Sequence, residues 1–290
     1  MMRFAVICLS FFLFAYLIAG GAPRADNGHA ENVAVLIERT LKNMVFVEGG
    51  AFMMGDQKTT FINAFGEEEY GYYHPAYTDA RPAHQVLLND YYLGKFEVTF
   101  GEHDMFTAAT GREPTEAEQM GKPWRQLDTP AYVNWQDAHA YCAWLGEQTG
   151  LPISLPTEAQ WEFAARSRGK VVPFATDTGY IERGVNYPES MDWPLPPGQF
   201  PPNPLGLYDM SGNISEWVAD WYAPDYYTRS PKQNPQGPQS GEKKVYRGGS
   251  VFNSPGGSST VIRGKAKPDL PYASGGFRCA INTGEPLPVD

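Results

Sequence analysis

The chain is short of cysteine, of histidine and of basic clusters, and each shortage removes a class of function. Among 290 residues there are 3 cysteines and 5 histidines. His74, His84, His103 and His139 are scattered, without the close spacing that zinc sites use, so they read as ordinary structural or surface residues. Lys and Arg total 23 against 33 Asp and Glu, for a net charge of −10. A phosphate backbone would be repelled, which excludes nucleic acid as the expected partner. An acidic surface suits cations or basic partners, and it secures solubility. Familiar catalytic signatures are absent: no Gly-x-Ser-x-Gly, no His-Glu-x-x-His, no phosphate loop and no dinucleotide fingerprint. There is also no internal repeat and no linker of uniform composition.

What is present describes a folded protein. Hydrophobic residues make up 42% and charged residues 19%, a balance that fits neither a disordered polymer nor a coiled coil. The 30 glycines and 25 prolines, with aromatics at 14%, predict much irregular backbone pinned by large rings. The length allows one large domain or two ordinary ones. Without a linker, one domain over 44–283 is expected, followed by a tail over 284–290.

Residues 1–30 read as a secretory signal peptide: Arg3 is the positive start, an apolar run spans Phe4 to Ala19, and small residues follow, placing cleavage between about 20 and 30. An uncleaved membrane anchor is the other reading, although the run is slightly short for a span. Cys8 lies inside the apolar run, far from the small residues, so lipoprotein processing is not indicated. The expected location is periplasmic or secreted. Cleavage leaves Cys142 and Cys279 in an oxidising compartment. A bridge between them would close a loop worth roughly 4–5 kcal/mol in the chain-entropy model. Two free buried thiols are the alternative.

Local signals predict the elements. Residues 31–43 read as a short helical lead-in. Met44 to Phe52 gives strand, glycine turn and strand, and the pattern resumes at Gln85 to Leu88 and Tyr91 to Val98. Residues 57–80 have no clear periodicity and are expected to form a long loop. Thr99 with Glu102 forms a capping box with Gly111 as the stop, and Thr157 with Gln160 forms another. Between them Val133, Trp135, Ala138, Tyr141, Cys142 and Leu145 recur at helical spacing, closed by Gly150. After Pro173 turns dominate and no long helix is expected.

The informative stretch runs from Gly206 to Trp217. Carboxylates and carbonyls around a flexible glycine suit a hard cation such as Ca²⁺, with Asp209 and Glu216 supplying charge and Gly212 and Ile214 backbone oxygens. Such a loop alone is more often a polar turn.

In order along the chain stand Met44-Val45-Phe46-Val47-Glu48-Gly49-Gly50-Ala51-Phe52-Met53-Met54-Gly55, Arg81-Pro82-Ala83-His84-Gln85-Val86, Lys95-Phe96-Glu97-Val98-Thr99, Leu155 to Arg166, Gly212-Asn213-Ile214-Ser215-Glu216-Trp217, Arg247-Gly248-Gly249-Ser250 and Gly276-Phe277-Arg278-Cys279-Ala280. Together they resemble the formylglycine-generating-enzyme (sulfatase-modifying factor) family, which includes ergothioneine-synthase and pyoverdine-maturation branches. The resemblance implies an α+β domain of C-type-lectin-like fold with little regular structure. It places family calcium ligands on Asp209, Gly212, Ile214 and Glu216, a second calcium site near Asn186, and a disulfide on Cys142 and Cys279. One departure stands out. The family's copper cysteines follow the Arg-Gly-Gly-Ser motif, where this chain has Asn253 at the first position and a Gly-Ser run at the second. Amides and hydroxyls do not hold soft Cu(I) comparably, so copper is not expected.

Three functions follow as expectations. The first is a non-catalytic, calcium-stabilised domain that binds a protein or peptide partner in the periplasm, such as a regulator of a type VI secretion kinase pathway. Its groove would be lined by segments 222–246 and 253–259. The second is a periplasmic oxidoreductase of the pyoverdine-maturation type with a different metal site; His84, Tyr208, Glu216, Arg247, Ser250 and Asn253 are its candidates. The third, a sugar-binding lectin, rests on fold analogy alone.

Overall fold

The computed structural model describes residues 27–62, 67–115, 125–189, 193–270 and 275–288. The expected signal peptide falls almost wholly outside the described residues. Among those described, no helix is long and apolar enough to cross a membrane.

The first helix, α1 (Asn27–Lys42), starts earlier than expected and is more than a lead-in. Leu36 and Leu41 are buried, with Val33 and Ile37 packed against the same core, so one helical stripe seats it on the domain. Strands β1 (Met44–Val47) and β2 (Gly50–Met54) follow. The expected loop over 57–80 contains a hairpin of β3 (Thr59–Ile62) and β4 (Glu68–Gly71), and a short 3-10 turn at Thr78–Ala80. Three of the four β4 residues are exposed and Phe61 alone of the eight paired residues is buried, so the hairpin left little hydrophobic period to read.

Strands β5 (His84–Leu88) and β6 (Tyr91–Gly94) pair antiparallel with β2 and β1. Helix α2 (Phe100–Thr110) begins with the predicted capping box, both halves formed, and stops at Gly111 in the left-handed region. Helix α3 (Trp135–Thr149) is capped by Asn134 and stopped by Gly150. After β7 (Ile153–Ser154), α4 (Glu158–Ala165) opens with the Thr157–Gln160 box. The C-terminal half has no long helix, but it contributes β8 (Glu216–Trp221), β9 (Lys244–Arg247), β10 (Gly264–Ala266) and β11 (Ala280–Ile281).

A four-stranded antiparallel sheet orders β1-β6-β11-β7, and a three-stranded one orders β10-β9-β8. The last strand, β11, therefore sits between β6 and β7 and closes the fold onto its first half. A disulfide joins Cys142 of α3 to Cys279 beside β11, across 137 positions. One apolar cluster gathers α1, α2 and α3 with Trp217 and Phe277; a second surrounds α4.

Every residue of α4 is buried, Glu158 and Glu162 included. Two glutamates survive there because three arginines answer them. Arg166 Nη1 reaches Glu162 at 2.8 Å, Arg247 Nη2 reaches Glu162 at 2.6 Å, and Arg263 Nε reaches Glu158 at 2.7 Å. Removing one partner of such a buried set leaves an uncompensated charge, at about 3–5 kcal/mol.

Candidate functional site

The loop from Gly206 to Trp217 crosses the middle of the molecule and enters β8. Its backbone is tightly wound: Asp209, Gly212 and Asn213 have φ of 58°, 105° and 52°. Asp and Asn tolerate the left-handed region better than most residues. At Gly212 a Cβ would stand 2.7 Å from the Tyr187 ring, so only glycine fits.

Two buried carboxylates, Glu97 and Glu216, a half-buried one, Asp209, and the buried Arg278 guanidinium surround this loop. Glu216 holds Arg278 with two bonds, Nε to Oε2 at 2.7 Å and Nη2 to Oε1 at 2.6 Å, and Trp161 Nε1 donates to Oε2 at 2.8 Å. Arg278 spends its remaining donors on the carbonyls of Gly94, Lys95 and Tyr208, so all five N–H groups are used. Glu97 accepts from Asn213 Nδ2 at 2.7 Å and from the Ile214 N–H at 3.3 Å. Asp209 Oδ2 accepts the Gly198 N–H at 2.7 Å. Burial, then the charges of Asp209 and Glu216, push the Glu97 carboxyl far above its usual range. Burial pushes Asp209 up to about 6. Fully ionised, the cluster would carry more negative charge than Arg278 neutralises, and the upward shifts of Glu97 and Asp209 register that excess as resistance to ionising.

Such a set of oxygens suits a hard cation chemically. Asp209 keeps Oδ1 outside the Gly198 bond. The loop carbonyls of Tyr208, Asn213 and Ser215 accept from Arg278, Val251 and Gly276, while those of Gly212 and Ile214 are outside these bonds. Glu216 is already engaged by three N–H donors. Among the described residues no three His, Cys, Asp or Glu side chains converge at metal-ligand geometry, so a cation here would need backbone oxygens. Glu97 was not among the sequence candidates; its signal was only a charged residue inside an apolar strand pattern.

Asn186 is buried within its own segment. Its Oδ1 accepts the Glu182 N–H at 2.7 Å, and its Nδ2 donates to Asp177 at 2.8 Å and to the Tyr180 carbonyl at 3.0 Å. It shares with Asp209 and Asn213 the lining of a cavity of about 20 Å³, room for little more than a water-sized guest.

Of the enzyme candidates, Arg247 is a core residue. Its guanidinium serves Glu158 and Glu162 and the carbonyls of Thr260 and Val261. Ser250 donates its hydroxyl to Asn253 Oδ1 at 3.1 Å, and the same oxygen accepts the Ser250 N–H at 2.9 Å. Asn253 therefore closes a turn, and the group facing the serine is an amide and not a base. Tyr208 packs tilted against Phe96 at 4.9 Å, and His84 packs edgewise on Tyr227 at 4.8 Å. A cavity of about 260 Å³ does open beside Arg247 and Asn253. Tyr246, Asn253 and Gly257 come from the segments expected to line it, and Tyr77, Ile262 and Lys265 join from elsewhere.

Comparison with known proteins places these features in a family. The family model for the sulfatase-modifying factor enzyme 1-like domain matches residues 31–283. A formylglycine-generating enzyme of Streptomyces coelicolor is 30% identical, over 83% of this chain and 90% of its own length. A serine/threonine-protein kinase, pkn1, of Chlamydia caviae is 28% identical over 82% of this chain, which spans only 37% of that kinase. The solved structure of PvdO from Pseudomonas aeruginosa superposes with a TM-score of 0.65 at 26% identity, covering 83% of this chain and 94% of the other. The ordered motifs, the mixed α and β architecture and these likenesses agree, and the chain belongs to the formylglycine-generating-enzyme, sulfatase-modifying factor family.

Proposed function

We propose that this chain is an exported, non-catalytic member of the family that binds a protein or peptide partner, with calcium stabilising its central loop. The observation that carries the reading is the state of its sulfur. Cys142 and Cys279 are tied to each other, so the described residues offer no thiolate to a soft Cu(I) ion. Asn253, at the first copper-ligand position, instead closes a turn on Ser250. The partner would dock over the cavity between Tyr77, Asn253 and Lys265, where loops sit on a rigid scaffold. A periplasmic regulator of a secretion kinase is a setting that suits such a domain.

The calcium set is Asp209 and the carbonyls of Gly212 and Ile214, with Glu97 and Glu216 supplying charge around it; Asn186 is the weaker candidate for a second ion. What the ion would supply is structural: it offsets buried carboxylate charge and holds the wound loop.

Two experiments test this. Purified protein, supplied with copper and oxygen, should leave a sulfatase-derived cysteine peptide unchanged; aldehyde formation would overturn the reading. Capture from a periplasmic extract should retain a partner that is lost when Tyr77→Glu and Asn253→Lys are combined, while an unchanged far-ultraviolet circular dichroism spectrum shows that the variant folds. The likeness to PvdO favours one alternative, an oxidoreductase of the pyoverdine-maturation type with a different metal site. Stoichiometric iron or copper in protein purified without added metal would support that alternative instead.

A further inference from the structure

Lys244 stands on β9 at 4% exposure, where a lysine is seldom found without a carboxylate to answer it. Among the described residues it has no ion pair. Its ammonium instead lies 3.8 Å from the ring centroid of Trp135 on α3 and 3.9 Å from that of Trp221, the last residue of β8. The two indoles are 6.4 Å apart with 26° between their planes, so the ammonium sits in the wedge they form. It donates to the Ala219 carbonyl at 2.7 Å. Burial pushes the Lys244 pKa down to about 8 while Asp220 pulls it up, which leaves a cation at neutral pH. His139 stacks on Trp135 at 4.8 Å; burial, then the charge of Lys244, holds its pKa below the usual range, so it adds no second cation there.

This wedge lies where β8 is irregular. Trp217 pairs with Tyr246 and Trp221 with Lys244, which sets Val218, Ala219 and Asp220 against Val245 alone. The polar groups freed by that bulge are taken up from outside the ladder. Trp135 Nε1 donates to the Val218 carbonyl at 2.8 Å, Lys244 serves the Ala219 carbonyl, and the Ala219 N–H bonds the Pro156 carbonyl at 2.8 Å. Asp220 accepts the Glu158 N–H at 2.7 Å, which ties the bulge to the start of α4. A cation withdrawn from water gains most from an aromatic face, so two indoles and a carbonyl suit an ammonium better than an uncharged group of the same length.

We propose that Trp135, Trp221 and the Ala219 carbonyl form a binding site for a primary alkylammonium ion, which the chain fills with its own Lys244. The bound cation fixes the β8 bulge and, through Asp220, the start of α4, so Lys244 is a positioning residue. Nothing in this site depends on the partner-binding groove.

Emptying the site tests it. Lys244→Ala should melt below the parent, and n-propylammonium, which replaces the deleted part of the side chain, should raise the variant's melting temperature in a saturable way while leaving the parent unchanged. n-Propanol has the same chain without the charge, and should act about tenfold more weakly. Hydrogen exchange at the Glu158 amide should speed up in the variant and slow again with propylammonium, but not with propanol. The parent gives a second reading that needs no folded variant: with isotope-labelled lysine, one ε-methylene resonance should lie upfield of all other lysines, because two indole faces shield it. Propanol as effective as propylammonium, no response to either, Glu158 exchange that ignores the amine, or no upfield lysine signal would overturn the proposal.

Discussion

Replacing His103 with leucine should make the fold less sensitive to acid. His103 sits on α2 at 1% exposure, between the rings of Phe106, Tyr141 and Phe277. Neither ring nitrogen has a hydrogen-bond partner among the described residues. Burial pushes its pKa down to about 4 from 6.5; Asp137 and Asp104 pull it up weakly, and Arg125 and Arg112 pull it down. Above pH 6.5 the ring is neutral in both folded and unfolded chains and contributes no pH dependence. As the pH falls from 6.5 through 4, the unfolded chain takes up a proton that the folded chain refuses, so stability is lost. At about 1.4 kcal/mol per pKa unit, the loss from this one ring approaches ~3 kcal/mol at pH 4. His103→Leu removes that loss. It also removes a buried donor and acceptor left unmade, worth about 1–3 kcal/mol at neutral pH before any repacking cost. Urea denaturation of both proteins, followed by tryptophan fluorescence at pH 7, 5.5 and 4, isolates the effect, because every carboxylate is common to the two. The variant should gain on the parent steadily as the pH falls. A difference in stability that stays flat from pH 7 to pH 4 would refute the reasoning.

Other outcomes follow from single contacts. Glu162→Gln strips the carboxylate shared by Arg166 and Arg247, and should cost about 3–5 kcal/mol by urea denaturation, or prevent soluble expression. Joint replacement of Cys142 and Cys279 by serine frees a loop of 137 positions and should cost roughly 4–5 kcal/mol; equal denaturation midpoints with and without reductant in the parent would contradict it. Gly212→Ala forces a Cβ against Tyr187 at φ 105°, and should lower stability by more than ~1 kcal/mol in the same assay. Under the calcium proposal, chelator should lower the melting temperature of the parent, and added calcium should restore it. An unchanged melting temperature would count against a resident ion.

Much of the fold was legible because its signals are local. The Thr99–Glu102 and Thr157–Gln160 boxes and the glycine stops at 111 and 150 act over three or four positions, so they announce helices without knowledge of the rest. The stripe of Ala138, Tyr141, Cys142 and Leu145 did the same for α3. The β3–β4 hairpin escapes a sequence reading because it buries only Phe61, and β8 to β11 because short strands among prolines and glycines carry little period. The order of seven motifs was enough to name the family.

The site was less legible, and the reason is distance along the chain. Sequence alone pointed to Asp209, Gly212, Ile214 and Glu216 as neighbours in one loop, and to the two cysteines left after the leader. Only tertiary structure showed that Glu216 is spoken for by Arg278, 62 positions away, and that Glu97 completes the acidic cluster from 116 positions away. Likewise only the fold brings Arg247 against Glu158 and Glu162 inside the core. A buried charge is defined by what surrounds it, and those partners are brought together by β11 inserting between β6 and β7, a pairing that no local pattern encodes.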